Sequence, residues 1–181
     1  MNKQPIKPFD LWQETMAAMA HEGVLLNTVG ADGKPNTMTI GWMTAGIIWG
    51  KPIVTVLIRP SRHSFGRIEE VREFTVNVMP PRFAGAIQLC GSASGRDVDK
   101  FALTDLIAAQ AQKVRAPVVE QAVICYECRV VHTNDVIPAN FAPDIITSFY
   151  AKGDFHRIYF GELVAAYAAK DARELLSRPL Y

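Results

Sequence analysis

The segment Ile58-Arg59-Pro60-Ser61-Arg62-His63-Ser64 brings together side chains able to hold an anion. A β-branched run ends at Ile58, Pro60 stops a sheet ladder, and Ser61 stands where a helix N-cap belongs. Unpaired amides in such a first turn favour negative charge. Arg59 and Arg62 add two permanent cations, and Ser61, His63 and Ser64 add short donors. A phosphate monoester needs this kind of neutralisation, because its near-double charge is costly to hold in a partly dehydrated cleft. An ordinary capped helix with solvated arginines has the same composition, so both readings stay open on this segment alone.

Cys90-Gly91-Ser92-Ala93-Ser94-Gly95-Arg96-Asp97-Val98-Asp99-Lys100-Phe101 is the second such stretch. Gly91 and Gly95 let the backbone approach a ligand and turn successive amides inward as an anion nest. Arg96 and Lys100 supply charge, while Asp97 or Asp99 caps the helical turn that follows. A polar surface turn is the competing reading. Two cationic loops, each at a helix start, argue for one anionic ligand better than either does alone. The third stretch is Asn36-Thr37-Met38-Thr39-Ile40-Gly41-Trp42-Met43-Thr44, a strand with hydroxyls at alternate positions. Such a strand could lie along a flat heterocycle, with backbone amides at the ring edge and an apolar wall excluding water. On periodicity alone, a barrel strand with a core tryptophan is the preferred reading.

Other chemistry finds little footing. Cys125 and Cys128 form a C-x-x-C, but residues i and i+3 of a strand face opposite sides, and no second pair completes a zinc site. His21, His63, His132 and His156 lack H-x-H or H-E-x-x-H spacing, so no metal is expected. There is no G-x-S-x-G elbow and no G-x-G-x-x-G after a strand. Gly30 to Lys34 ends in Gly-Lys without P-loop spacing and reads as a hairpin. Asp154-Phe155-His156-Arg157 could reach a ligand or could simply begin the last long strand.

The elements that must position these residues follow from periodicity. An N-terminal helix is predicted over about 10–21, with Asp10 and Gln13 as its capping box and Trp12, Met16, Met19 and Ala20 as its apolar stripe. Strands are predicted at Val24–Val29, Asn36–Trp42, Ile53–Ile58, Phe74–Met79, Ala122–His132 and Phe155–Tyr167, the last with a bulge or bend at Gly161. Helices are expected at Arg62–Arg72 and Arg82–Cys90, a helical turn at Val98–Leu103, and helix then loop over Ala108–Pro117. The tail over about 170–181 reads as a short helix stopped by Pro179. About six strands without regular βαβ alternation argue for a mainly β barrel decorated with short helices.

Composition is consistent with this. A chain of 181 residues suits one domain and buries roughly 70% of its extended surface on folding. With 49% hydrophobic and 20% charged residues it is globular, and a net charge of +1 leaves no bulk field for nucleic acid. The apolar stretch from Trp42 to Ile58 is interrupted at Gly50-Lys51-Pro52, too early for a membrane span. The first residues lack the apolar run of a secretory signal, and three cysteines suit a reducing compartment, so a cytoplasmic location is expected.

Taken together, these segments resemble the flavin reductase-like FMN-binding split-barrel family, and its flavoredoxin-like branch in particular. The resemblance is carried by Asn36–Trp42, Gly50-Lys51-Pro52 leading to Ile58–Arg62, Phe74-Thr75-Val76-Asn77, Cys90-Gly91 and Ser94–Phe101. Gly153–Arg157 and Gly161-Glu162 fit as well, and the likeness spans roughly Gly23 to Ala168. It implies a six-stranded Greek-key split barrel over about 23–168 and a homodimer with one FMN per subunit near the interface. By position, Met38, Thr39, Ile40, Gly41, Trp42 and Met43 would flank the isoalloxazine ring. Arg59, Ser61, Arg62, His63 and Ser64 would hold the phosphate or ribityl chain, and Cys90, Gly91, Ser94, Gly95, Arg96, Asp99 and Lys100 would close over it. The resemblance implies hydride transfer from NADH or NADPH to flavin, or else an electron carrier reduced by a protein partner. A non-redox barrel holding another phosphorylated molecule is the third possibility. No motif marks the nicotinamide position, so no catalytic acid or base is assigned.

Overall fold

A computed structural model describes residues 2–177, and the helix stop expected at Pro179 lies outside them. A short strand, β1 (Lys3–Pro5), precedes helix α1 (Trp12–His21). The expected capping box does not form, because Asp10 Oδ2 accepts from the Lys7 N–H at 3.1 Å and Leu11 takes the N-cap without a side-chain bond. Helix α1 buries Thr15 and Ala18, whereas Ala20 is exposed. Gly23, at φ 89°, reverses the chain into strand β2 (Val24–Val29).

Strand β3 (Pro35–Ile40) returns antiparallel to β2 across the Asp32-Gly33 turn, and Pro35 is its first residue as expected. Met43–Ile48 forms a further strand, β4, joined to β5 (Lys51–Ile58) by a tight turn in which Trp49 and Gly50 both have positive φ. Strand β4 escapes a pattern reading because Ala45-Gly46 has no strand preference and breaks its alternation. Helix α2 (His63–Val71) and strand β6 (Glu73–Val78) follow. Helix α3 (Ala84–Ser92) runs two residues beyond its expected end, and α4 (Lys100–Thr104) starts two residues later than expected. Ala108–Pro117 is not helical; it holds the two-residue strand β7 (Ala108–Ala109), paired with β8 (Val118–Val119). The long strands β9 (Ile124–Asp135) and β10 (Arg157–Ala169) flank helix α5 (Pro143–Phe149), which has no sequence signal beyond Pro143 at its start. Helix α6 (Ala172–Leu176) comes last.

The main sheet pairs in the order β3-β2-β6-β9-β10-β5-β4, with β1 on the C-terminal end of β10. All its pairings are antiparallel, and its eight strands exceed the expected six by β1 and β4. Its two edges, β3 and β4, are consecutive in the chain with only Gly41 and Trp42 between them. That link spans at most about 11 Å of extended backbone, so the sheet must curl until its edges almost meet. They are not hydrogen-bonded to each other, which leaves a slit beside Trp42. The fold is mainly β with several short helices. Among the described residues no helix is long and apolar enough to cross a membrane.

Two cores result. Val24, Leu26, Ile40, Val54, Val56, Phe74, Val76 and Tyr126 fill the inside of the curl. Leu25, Ile87, Cys90, Val119 and Cys125 fill a second layer outside it. Cys128 belongs to the first and Cys125 to the second, so the C-x-x-C faces two ways. Burial pushes the Cys125 thiol up to about 12. The outer layer explains the irregular segment between α4 and β9. Asn27 Nδ2 and Thr75 Oγ1 donate to the Pro117 carbonyl, and Asn77 Oδ1 accepts from Val119 N–H. Fully buried Glu127 accepts from the Gln112 and Lys113 amides and from Tyr167 Oη. Buried polar side chains thus satisfy a backbone that forms little regular structure of its own.

Strand β10 bulges at Phe160/Gly161, as expected. A Cβ on Gly161 would lie 2.6 Å from Phe74 Cζ and 2.8 Å from Cys128 Cβ. Gly161→Ala should therefore lower unfolding stability by about 1–3 kcal/mol through overpacking. Urea denaturation reads this directly, and an unshifted midpoint would mean that the core yields without cost.

Candidate functional site

Pro60 ends β5, and the Arg59 carbonyl accepts from Arg62 N–H at 3.0 Å, turning the chain into α2. Arg62, not Ser61, is the N-cap, and no side chain caps that helix. Ser61 Oγ instead donates to Asp154 Oδ2 at 2.6 Å, and Ser61 N–H donates to Asp154 Oδ1. Arg59 is also engaged elsewhere than expected. Its Nη1 donates to the Gly153 and Asp154 carbonyls and its Nη2 to the Phe149 carbonyl, with the guanidinium over the Tyr150 ring. Ser61 and Arg59 therefore hold the 149–154 loop against the β5–α2 turn. The Arg62 guanidinium has no hydrogen bond or ion pair among the described residues, although it lines both clefts described next.

The glycine-serine loop comes to meet this turn. Arg96 Nη1 donates to the Ser61 carbonyl at 2.7 Å, tying the two cationic segments together. Between them lies a cleft of about 180 Å³ lined by Arg62, His63, Ser64, Gly91, Ser94, Gly95, Arg96 and Lys100, among others. Among the described residues no carboxylate lines it. Lys100 is almost fully buried, with Nζ donating to the Cys90 carbonyl at 2.8 Å. Burial holds its amine below the ordinary lysine value and pushes the Cys90 thiol up. The His63 imidazole is held below its ordinary value by burial first and by Arg67 second. Its Nε2 accepts from Arg67 Nε at 2.9 Å, which leaves the proton of the neutral ring on Nδ1. Asn36 Nδ2 donates to Ser64 Oγ at 2.7 Å on the same wall. Gly95 packs so tightly that a Cβ would overlap Asn36 Oδ1 and approach His63 Cδ2 to 2.8 Å.

A second cleft of about 180 Å³ opens at the slit in the sheet, lined by Met38, Thr39, Ile40, Gly41, Trp42, Leu57, Arg59, Arg62 and His156. It shares Met38 and Arg62 with the cationic cleft. Trp42 stands at its edge, 37% exposed, with its ring 4.9 Å from His156 and 5.1 Å from Phe149. His156 Nδ1 lies 2.7 Å from Tyr150 Oη. Burial, and then the charge of Arg59, lowers the His156 imidazole to about 4, so the ring is neutral above that pH.

The three segments singled out by residue type thus converge, and most of their residues line one cleft or the other. Two do not. Met43 points into the barrel core at 3% exposure, and Asp99 caps α4 through the Phe101 and Ala102 amides. Asn36, Leu57, Ser92, Ala93 and His156 join the lining without having been assigned to it. His156 lies in the Asp154–Arg157 stretch, whose two open readings divide between neighbours. His156 faces the cleft, while Arg157 is a structural residue bound to Asp135 and Glu69. Among the described residues no three His, Cys, Asp or Glu side chains cluster as metal ligands.

Comparison with known proteins adds the following. A family model described as "Flavin reductase like domain" matches residues 16–180. No curated protein matches significantly. Among solved structures, flavoredoxin of Desulfovibrio vulgaris (Miyazaki F) is 21% identical, with a TM-score of 0.66, covering 82% of this chain and 69% of that one. Flavoredoxin from Methanosarcina acetivorans is 25% identical, with a TM-score of 0.64 and the same two coverages. An NADH:FAD oxidoreductase of Streptomyces globisporus C-1027 is 20% identical, with a TM-score of 0.61, covering 92% of this chain and 87% of that one.

Proposed function

This chain belongs to the flavin reductase-like family, and on that premise we propose that it holds FMN and passes hydride from NADH or NADPH to flavin. One observation carries the reading. A cleft walled by Met38, Ile40, Trp42 and Leu57 and a cleft with three cations and, among the described residues, no carboxylate share Met38 and Arg62 as a common wall. A flat ring bearing a phosphate tail has this same division of chemistry. The donor set fits FMN, since Arg62 is unpaired among the described residues, Arg96 and Lys100 are fixed by backbone carbonyls, and Gly95 lets their loop close onto Asn36 and His63, where a Cβ would collide.

When bound, FMN supplies the hydride chemistry, which is its own. The chain supplies position and exclusion of water. Met38 to Trp42 with Leu57 would wall the ring, and Arg62, His63, Ser64, Arg96 and Lys100 would hold the phosphate. His156, kept neutral, can donate or accept a hydrogen bond at the ring cleft without adding charge. No side chain is required as an acid or base.

A second reading, an electron carrier reduced by a protein partner, is favoured by the exposed Trp42 and Phe149 at the mouth of the ring cleft. Exposed Ile47 and Trp49 on the β4–β5 hairpin, with Val131 on β9, support a homodimer. A yellow purified protein whose flavin bands bleach on anaerobic titration with NADH or NADPH is the expected result. Bleaching by a protein donor alone would favour the carrier, and a colourless protein that takes up no FMN would defeat both.

A further inference from the structure

Tyr150 sits buried at the C-terminal end of α5, behind the lining of the ring cleft, and is held from several sides. Phe155 stacks on its ring at 4.8 Å between centroids, Phe141 lies at 5.2 Å, and the Arg59 guanidinium stands 5.1 Å from its centroid. Its N–H donates to the Ile146 carbonyl, and its own carbonyl accepts from Gly153 N–H. Backbone and ring are therefore both fixed. The hydroxyl has one partner among the described residues, His156 Nδ1 at 2.7 Å.

The direction of that bond follows from what each group can do. A buried phenol needs an acceptor, and Nδ1 is the one within reach among the described residues. A proton on Nδ1 would point at Oη and leave the hydroxyl proton with no protein acceptor there. Burial also holds the phenol above its ordinary value, so it keeps its proton. Tyr150 Oη–H thus donates to the lone pair of Nδ1. In a neutral imidazole this places the remaining proton on Nε2. Nε2 has no hydrogen bond among the described residues, and the imidazole lines the ring cleft with Trp42 4.9 Å away.

We propose that Tyr150 is a positioning residue acting through His156: it fixes the imidazole as an Nε2–H donor to the flavin ring, and so favours reduced over oxidised flavin. The inference deepens the flavin reading of the clefts and rests on it. Hydride brings two electrons and one proton to a neutral ring system, which leaves one extra negative charge on it. A fixed N–H in a partly dehydrated cleft stabilises that charge more than it stabilises the oxidised ring. The other tautomer would present a lone pair and oppose it.

The first readout needs no flavin. NMR of isotope-labelled histidine nitrogens in the apo-protein at neutral pH, assigned with His156→Asn, should show the His156 proton on Nε2. Tyr150→Phe removes one oxygen and keeps the stacked ring, and should release His156 into a mixture of both tautomers. A wild-type proton on Nδ1, or a His156 signal unchanged by Tyr150→Phe, would overturn the inference.

The second readout is the reduction potential of bound FMN, measured anaerobically against a reference dye. Relative to oxidised FMN, Tyr150→Phe should bind reduced FMN about tenfold more weakly, which lowers the two-electron potential by about 30 mV. In a His156→Asn background the same substitution should leave the potential where it stands. An unmoved potential in Tyr150→Phe, or an equal shift in the His156→Asn background, would overturn the inference and leave Tyr150 a packing role. A protein that takes up no FMN would instead overturn the flavin reading, and the effect on flavin with it. The apo-protein tautomer would then still decide what Tyr150 does to His156.

Discussion

Arg62→Ala is expected to bind FMN about 10–100-fold more weakly and riboflavin almost as well as wild type. Riboflavin lacks the phosphate, so the comparison isolates the charge on that group from contacts to the ring. Arg62 is the residue to test because its guanidinium has no partner among the described residues and faces both clefts. A charge-assisted bond made only to the ligand is lost in full when its donor is removed. Arg59→Ala should behave differently. It removes three bonds to the carbonyls of Phe149, Gly153 and Asp154, and with them the support of Tyr150 and His156. Loosening the aromatic wall should weaken FMN and riboflavin by similar factors. If Arg62→Ala weakened both flavins equally, Arg62 would not be the phosphate cation.

Stability is expected to fall as the pH drops from 6.5 toward 4, by an amount on the order of 2 kcal/mol attributable to His156. Burial holds the folded imidazole near 4, whereas the unfolded one titrates at 6.5. Between those values the unfolded state binds the extra proton, so stability rises with pH across the window and is lost on acidification. His63 is shifted in the same direction by burial and adds to the slope. His156→Asn keeps a polar atom near Tyr150 Oη but cannot be protonated there. Urea denaturation above pH 6.5 and near pH 4 should show a smaller acid loss in the variant than in wild type. Equal losses would mean that His156 reaches the proton without unfolding, through a wetter cleft than its 8% exposure indicates.

Much of this protein is determined by short-range order in its sequence. Apolar patterning places β2, β3, β5, β6, β9 and β10, since a strand buried on one face alternates its apolar residues with the pleat and one buried on both, such as β5, reads as a continuous β-branched run. Asp32-Gly33 sets a hairpin, and the Arg59–Ser64 and Cys90–Phe101 stretches declare an anion by residue type alone. The family resemblance rests on those same stretches. Local pattern does not report which partner each donor finds. Arg59 and Ser61 bond to a loop some 90 residues away, and Arg96 crosses 35 residues to the Ser61 carbonyl. The irregular segment before β9 takes its shape from Asn27, Thr75, Asn77 and Glu127, polar residues that by periodicity alone belong on a solvent face. Trp42, preferred as a core residue, stands at the slit instead, because the curl of the sheet brings β3 and β4 edge to edge there without joining them. Periodicity is a property of neighbours along the chain, whereas allocation of donors and closure of a sheet are settled only among neighbours in space.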